Sequence, residues 1–199
     1  MENSSNGFIL GVGPAKELQT ALRRNGLGTR VVDWLCAGDN ISLVNEVVLG
    51  RSEIKLVEHS IDYDIDQPSI PAGWSLLSND EQLPNRVRSL RKFDPTKLSL
   101  HLDNSQKNGK AIEGNKLRKK LESIPVFGAQ LRDFLLKNLR FIPKDWKGKE
   151  IFFWGTLYRD ANGDFCVPFL FFDNGGWRGR YRWLVNDLSV NSPAVVLAE

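Results

Sequence analysis

The chain has 199 residues, 41% of them apolar and 26% charged, with a net charge of +3, a balance that lets a globular protein bury its own core. No stretch approaches the roughly 18 consecutive apolar residues of a membrane span, and the run from Phe8 to Val12 is too short for a secretory signal. A soluble, cytoplasmic protein with no membrane partner is therefore expected. The net charge hides an asymmetry: residues 1–85 hold 6 Lys/Arg against 12 Asp/Glu, residues 86–149 hold 17 against 6, and residues 150–199 hold 4 against 6.

Residues 1–13 read as a flexible leader. Pro14 suits a first helical turn, and AKELQTALRRNG places Leu18, Ala21 and Leu22 at helical spacing before Gly26. Thr29 is placed to cap RVVDWLCAG and Asp39 to cap NISLVNEVVLG, with Gly38 and Gly50 as stops. Three short helices joined by glycine turns predict a compact N-terminal bundle. They also fit a helix-turn-helix, but a small packing unit is the plainer interpretation.

EIKLVEHSIDYDID (53–66) alternates, with a break of parity near Glu58, and its second half puts Asp62, Asp64 and Asp66 on one strand face. Residues 79–91 are rich in turn formers and predict a mobile stretch. FDPTKLSLHLD predicts a half-buried strand with Leu98, Leu100 and Leu102 on one side. GNKLRKKLES (114–123) predicts a basic helix with Leu117 and Leu121 facing inward. GAQLRDFLLKNLRFIPKDWKG predicts a second helix burying Leu131, Phe134, Leu135 and Leu139.

From Glu150 the period becomes two. EIFFWGTLYR, DFCVPFLFF and GWRGRYRWLV predict a three-stranded antiparallel meander joined by DANGD and DNGG turns, with NSPAVVLAE as a tail. Opposing Tyr158 to Cys166 and Phe172 to Trp177 sets two faces. One carries Phe152, Trp154, Tyr158, Leu170, Phe172, Trp177, Tyr181 and Trp183. The other carries Phe153, Leu157, Val167, Phe169 and Phe171, with Arg178, Arg180 and Arg182. Pro168 has no N–H, so the second strand must bulge there or leave the position unpaired. The fold class is therefore α+β: a helical N-terminal part, a central strand with basic helices (together 14–149), and a C-terminal meander and tail (150–199) packed against helices into one body. The two cysteines, Cys36 and Cys166, sit among apolar neighbours and read as free buried thiols.

Three chemistries compete for the functional assignment. The cations of the basic block and the arginine row suit nucleic acid or another polyanion. Lys116, Arg118, Lys119 and Lys120 would bind along one helix and Arg178, Arg180 and Arg182 along the last strand; the Trp177, Tyr181 and Trp183 face is expected to be core with the arginine row exposed, the alternative being an open platform on which these rings stack. Alternatively the basic block pairs with an acidic protein surface, within the chain or across a homo-oligomer. A third possibility is a metal-dependent hydrolase using Asp62, Asp64 and Asp66 with Glu58 or His59; alternate strand positions lie roughly 7 Å apart, so three such carboxylates rarely converge on one ion. Neither His59 nor His101 stands in a nucleophile motif, GVGP (11–14) is no phosphate loop, and no cofactor is implied.

The segments WKGKEIFFWGTLYRDANGDFCV, GWRGRYRWL, SPAVVLA and KNGKAIEGNKLRKKL resemble those of a family of bacterial proteins of about this length, known mainly from genome sequencing. The resemblance covers most of the chain and implies that it is one inherited unit; it carries no activity and no catalytic residue.

Overall fold

A computed structural model describes residues 12–25, 29–53, 58–64 and 66–198. The chain divides into two compact units, residues 1–57 and 58–199. The first contains helices α1 (Val12–Arg24), α2 (Thr29–Leu35) and α3 (Asn40–Val48). Gly38 and Gly50 end α2 and α3 in the left-handed region, with φ of +52° and +69°, a conformation that costs glycine little. Asp39 occupies the position before α3 but its side chain makes no capping bond. The described side chains of this unit do not make the expected bundle core: none of them is buried, and Leu18, Ile41 and Val48 are largely exposed. Helices this short do not enclose a core by themselves. Cys36, expected inside, is exposed.

The second unit contains β1 (Ser60–Asp62), β2 (Ser75–Leu76), β3 (Leu90–Lys92), β4 (Leu98–His101), β5 (Ile112–Glu113), α4 (Gly114–Lys120), α5 (Ala129–Lys137), β6 (Ile151–Phe152), β7 (Tyr158–Arg159), β8 (Phe165–Asp173), β9 (Gly176–Trp183), β10 (Asp187–Leu188) and β11 (Ala194–Leu197). The α+β class holds, but the meander is part of something larger. Seven strands form one mixed sheet in the order β2-β7-β8-β6-β11-β4, with β9 on the other edge of β8. The tail is no appendage: β11 lies parallel to β6 and antiparallel to β4, and Val195 is fully buried.

The register Tyr158↔Cys166 and Phe172↔Trp177 is as expected, and β9 packs one face against α5, where Leu136 lies beside Gly179. The first meander strand, however, is broken into β6 and β7. Leu184 N–H donates to Phe165 O at 2.8 Å, so the pairs that exchange hydrogen bonds across β8 and β9 are every second one, and Pro168↔Tyr181 falls between them. Pro168 therefore sits in the β8–β9 ladder without a bulge. The missing N–H is felt on the opposite side. Phe153 N–H reaches Pro168 O at 2.9 Å, but the Phe153 carbonyl finds no donor on β8 and accepts from Thr156 N–H at 3.4 Å. The chain leaves the sheet there and rejoins it at Tyr158. The excursion reverses the alternation, so Phe152 and Trp154 join Val167, Phe169 and Leu157, while Phe153 joins Leu170 and α5. That corrects the expected faces for these three residues.

Leu117 of α4 and Leu121 at its C-terminal cap fill the first of these clusters, and Leu131 and Leu135 of α5 fill the second. Burial of each such side chain stabilises the fold by roughly 1.5–3 kcal/mol. Phe134 is only half-buried, and Leu139, beyond the end of α5 at Lys137, is exposed. Residues 79–91, expected to be mobile, are pinned: Leu83 and Val87 are buried, and Gln82 donates to Leu157 O while accepting from Leu157 N–H. The predicted strand over 53–66 shrinks to β1. Beyond Asp62 the chain turns, with Asp66 N–H donating to Asp62 O; Ile54, Leu56 and Ile65 lie outside the described residues.

The excursion between β6 and β7 packs backbone on backbone. Gly155 N–H donates to Phe127 O at 2.9 Å, and a Cβ at Gly155 would lie 2.7 Å from Gly128 N and 2.8 Å from Phe127 C. These neighbours cannot rotate away. Gly155→Ala is expected to destabilise the protein by about 1–3 kcal/mol, read as a lowered urea midpoint at unchanged slope; an unaltered midpoint would show that the close approach is not needed.

Candidate functional site

Strand β8 presents Phe165, Phe169 and Phe171 on one face, and guanidinium groups lie over all three. Arg159 and Arg118 stand 4.7 and 5.6 Å from the Phe165 ring centre, Arg182 5.4 Å from Phe169, and Arg180 5.0 Å from Phe171. Alternate positions on a strand repeat every ~6.6–7 Å, so these groups form a row rather than a cluster. Each such contact is worth about 0.5–1 kcal/mol at an exposed site. Its larger consequence is that the arginines are held flat and in order.

The sequence-predicted cations differ in what they already touch. Arg182 donates to both oxygens of Glu150 at 2.6 and 2.7 Å. Arg118 is half-buried and donates to the Glu81 carbonyl, while Arg159 pairs with the Glu81 carboxylate at 2.8 Å. Lys120 lies 3.2 Å from Asp103 and Lys116 3.8 Å from Glu113. Lys119, Arg178 and Arg180 are exposed, and none has a carboxylate within ion-pair distance among the described residues. The structure thus brings Arg118 into line with Arg180 and Arg182 through the phenylalanine row, and leaves α4's lysines on that helix's own surface.

The three candidate stacking rings are unequal. Trp177 packs edge-on against Phe172, and Tyr181 lies between Trp74 and Tyr158. Trp183 is 42% exposed, with its indole N–H donating to Asp160 at 2.8 Å. That bond, with the backbone amides of residues 162–164, holds the Asp160 carboxyl below its ordinary range. An open concavity of about 520 Å³ runs along β9, walled by Trp74, Tyr181 and Trp183 and by Arg180, Arg182 and Phe171.

Other chemistries find less. Asp62 accepts from Asp64 N–H, Asp66 from Asp62 N–H and Asp64 from Ser89 N–H, so these carboxylates serve a turn. Among the described residues no group of three His, Cys, Asp or Glu side chains is gathered for a metal ion. His59 sits against Phe134 and Phe141, and His101 is half-buried in β4. Burial, with Asp160 and Asp164 nearby, pushes the Cys166 thiol up to about 12, so it keeps its proton at neutral pH.

Sequence reasoning missed Arg132, which is only 3% exposed. Its guanidinium binds Asp133 at 2.8 Å and the Tyr181 hydroxyl at 3.2 Å. Both Tyr158 and Tyr181 donate to Ser69 O, and Asp133 accepts Ser69 N–H. Burial opposes the charge on Arg132, but Asp133, Tyr158 and Tyr181 outweigh it. The network ties residues 69–74 over the sheet and holds Tyr181 in place beneath the concavity. Its signal in the sequence, an arginine on the apolar side of α5, is indistinguishable from a solvated helix charge. The missed partners Glu81, Glu150, Arg159 and Asp160 lie far from the cations in sequence, whereas the phenylalanine row was legible: alternation had already put Phe169 and Phe171 on the arginine face.

Asp103 joins the basic helix to the turn before β5. It accepts Ser105 N–H at 2.8 Å in a capping box with Gln106, and the Ser105 amide and hydroxyl, with Lys120, hold its carboxyl down at about 2. A carboxyl lowered in the folded state contributes stability above its unfolded value and loses it as pH falls through the folded one. Asp103→Asn is therefore expected to be less stable than wild type at pH 7, with the difference closing between about pH 4 and 2; a gap in denaturant midpoint independent of pH would remove the ionic assignment. Comparison with family models, curated proteins and solved structures gives no match to the chain.

Proposed function

We propose that this protein is a non-enzymatic binding protein for an extended polyanion, the class that includes nucleic acid and acidic polypeptide, and that it engages this ligand along β9. Strand β9 supplies Arg178, Arg180 and Arg182, and α4 supplies a second patch through Lys116, Lys119 and Lys120. The observation that carries this reading is the open groove beside β9, where cations stand on one wall and aromatic rings on the other. Aromatic rings interleaved with cations are what a flexible anionic chain needs: attraction along its length, and apolar surface for what lies between its charges. The emphasis falls on β9 rather than α4 because two of α4's three lysines already lie near carboxylates, whereas Arg178 and Arg180 do not.

The test is fluorescence anisotropy with a labelled oligothymidylate and with labelled polyglutamate, each titrated at several salt concentrations. Affinity for at least one probe should fall steeply with salt, and the double variant Arg178→Glu/Arg180→Glu should weaken it on the order of tenfold or more while reducing the log–log salt slope by about 1 per lost cation. Charge reversal of Lys116, Lys119 and Lys120 should have the smaller effect. Affinity that is flat in salt and unmoved by either set of reversals would overturn the proposal.

A further inference from the structure

We infer that the ligand of β9 is an acidic polypeptide, taken up in extended form as an added strand on the free edge of the sheet; this rests on the reading of β9 as an anion-binding surface. The backbone carries the first part of the case. In the β8–β9 ladder the hydrogen-bonding pairs are those of Arg178, Arg180 and Arg182, so the N–H and C=O groups of Trp177, Gly179 and Tyr181 point away from β8. Strand β9 pairs only with β8, and no described strand stands beside those groups. They make an alternating row of donors and acceptors, of which Gly179 and Tyr181 line the groove described above. Phosphate oxygens accept hydrogen bonds but donate none, so a DNA backbone would leave the outward carbonyls of Trp177, Gly179 and Tyr181 to water. A polypeptide offers both kinds of group at the spacing of a neighbouring strand, about 4.8 Å away.

The side chains carry the second part. Residues of an added strand on the arginine face would stand roughly 4.5–5.5 Å from their opposite numbers on β9. Arg182 is matched by Glu150, so Arg178 and Arg180 select alternate carboxylates. The same row disfavours a second copy of this chain as the occupant, because β9 against β9 sets arginine opposite arginine. On the opposite face Gly179 carries no side chain and Leu136 of α5 takes that space, so it is the arginine face that is left to read the side chains of an added strand.

The experiment uses the full chain and a labelled eight-residue peptide of alternating Glu and Val or Thr. Two partners of that peptide are N-methylated at one or the other set of alternate amides, a third has Lys for Glu, and an oligothymidylate of equal charge completes the set. An added strand needs only the amides that face β9. The parent peptide should therefore bind, one methylated peptide should bind about tenfold or more weakly, the other should bind like the parent, and the Lys peptide should not bind. Arg178→Glu/Arg180→Glu, two exposed changes whose folding is checked by circular dichroism, should weaken binding of the parent on the order of tenfold or more. Two methylated peptides that bind equally well would overturn strand addition while leaving anion binding intact, provided the arginine reversal still acts. Oligothymidylate bound in a salt-dependent manner with the acidic peptide ignored would overturn the polypeptide assignment in favour of nucleic acid. If neither probe binds, both proposals fall.

Discussion

Pro168 has no amide hydrogen, and the sheet is arranged around that gap. On the β9 side the gap is harmless, because the Pro168–Tyr181 pair is one that exchanges no hydrogen bonds. On the other side it frees the Phe153 carbonyl from β8 and releases residues 153–157 from the sheet. The released turn is then put to use. Gly155 slides against Phe127 and Gly128, and the Thr156 hydroxyl accepts Ala129 N–H at 3.0 Å. That bond satisfies one of the amides that a helix N-terminus leaves unpaired, which Gly128, without a side chain, cannot do. One absent hydrogen thus governs where α5 begins. The same alternation decides which residues of β9 turn their backbone toward β8 and which turn it outward.

Folding offsets part of the charge asymmetry of the sequence. The acidic stretch 58–66 meets the basic stretch 86–92 directly: β1 pairs with β3, Lys92 bonds Glu58, and Asp64 accepts Ser89 N–H. Glu81 and Glu150 neutralise Arg159 and Arg182 in the same way. Exposed pairs of this kind contribute only about 0–1 kcal/mol each, so they do not hold the fold together. Their effect is local: they match particular cations, among them Lys92, Arg159 and Arg182, and leave others of the same unit, among them Lys119, Arg178 and Arg180, without a carboxylate at ion-pair distance among the described residues. What is left uncancelled is informative for that reason, and on β9 it is the Arg178–Arg180 end of the strand.

The elements legible in the sequence were those fixed by short-range pattern. The three N-terminal helices, the Leu117/Leu121 seam, β4 and the β8–β9 hairpin all follow from periodicity and turn residues, and the hairpin's Asn174 and Gly175 both adopt the positive φ that its two-residue turn requires. The errors arose where a distant partner decided the outcome. Phe152 and Trp154 lie on the face opposite to the one alternation predicts, because the break opposite Pro168 depends on which side of β8 lacks a donor, and alternation along one strand cannot reveal that. The tail became β11 because β4, nearly a hundred residues earlier, and β6 offered edges to fill. The aspartates of 62–66 read equally well as a strand face until Ser89 was seen to take up Asp64. For the site, the arginine row was plain in the sequence, but the carboxylates that divide it into matched and unmatched cations were not.

An eight-residue edge strand is a hazard unless something discourages indiscriminate pairing. On β9 the discouragement is charge, and the phenylalanines of β8 make that charge orderly. Stacked over Phe169 and Phe171, Arg182 and Arg180 give up side-chain freedom in the folded protein itself, so under the proposed function less would remain to be lost on binding an anion. The platform beneath them is equally constrained, by the tight hairpin at one end and by the Arg132–Tyr181–Ser69 network on the opposite face. An edge that repels its own copy and stands pre-ordered can still accept a strand, provided that strand brings the opposite charge at every second position. Protection against self-association and selection of a partner are then two consequences of one arrangement of arginines.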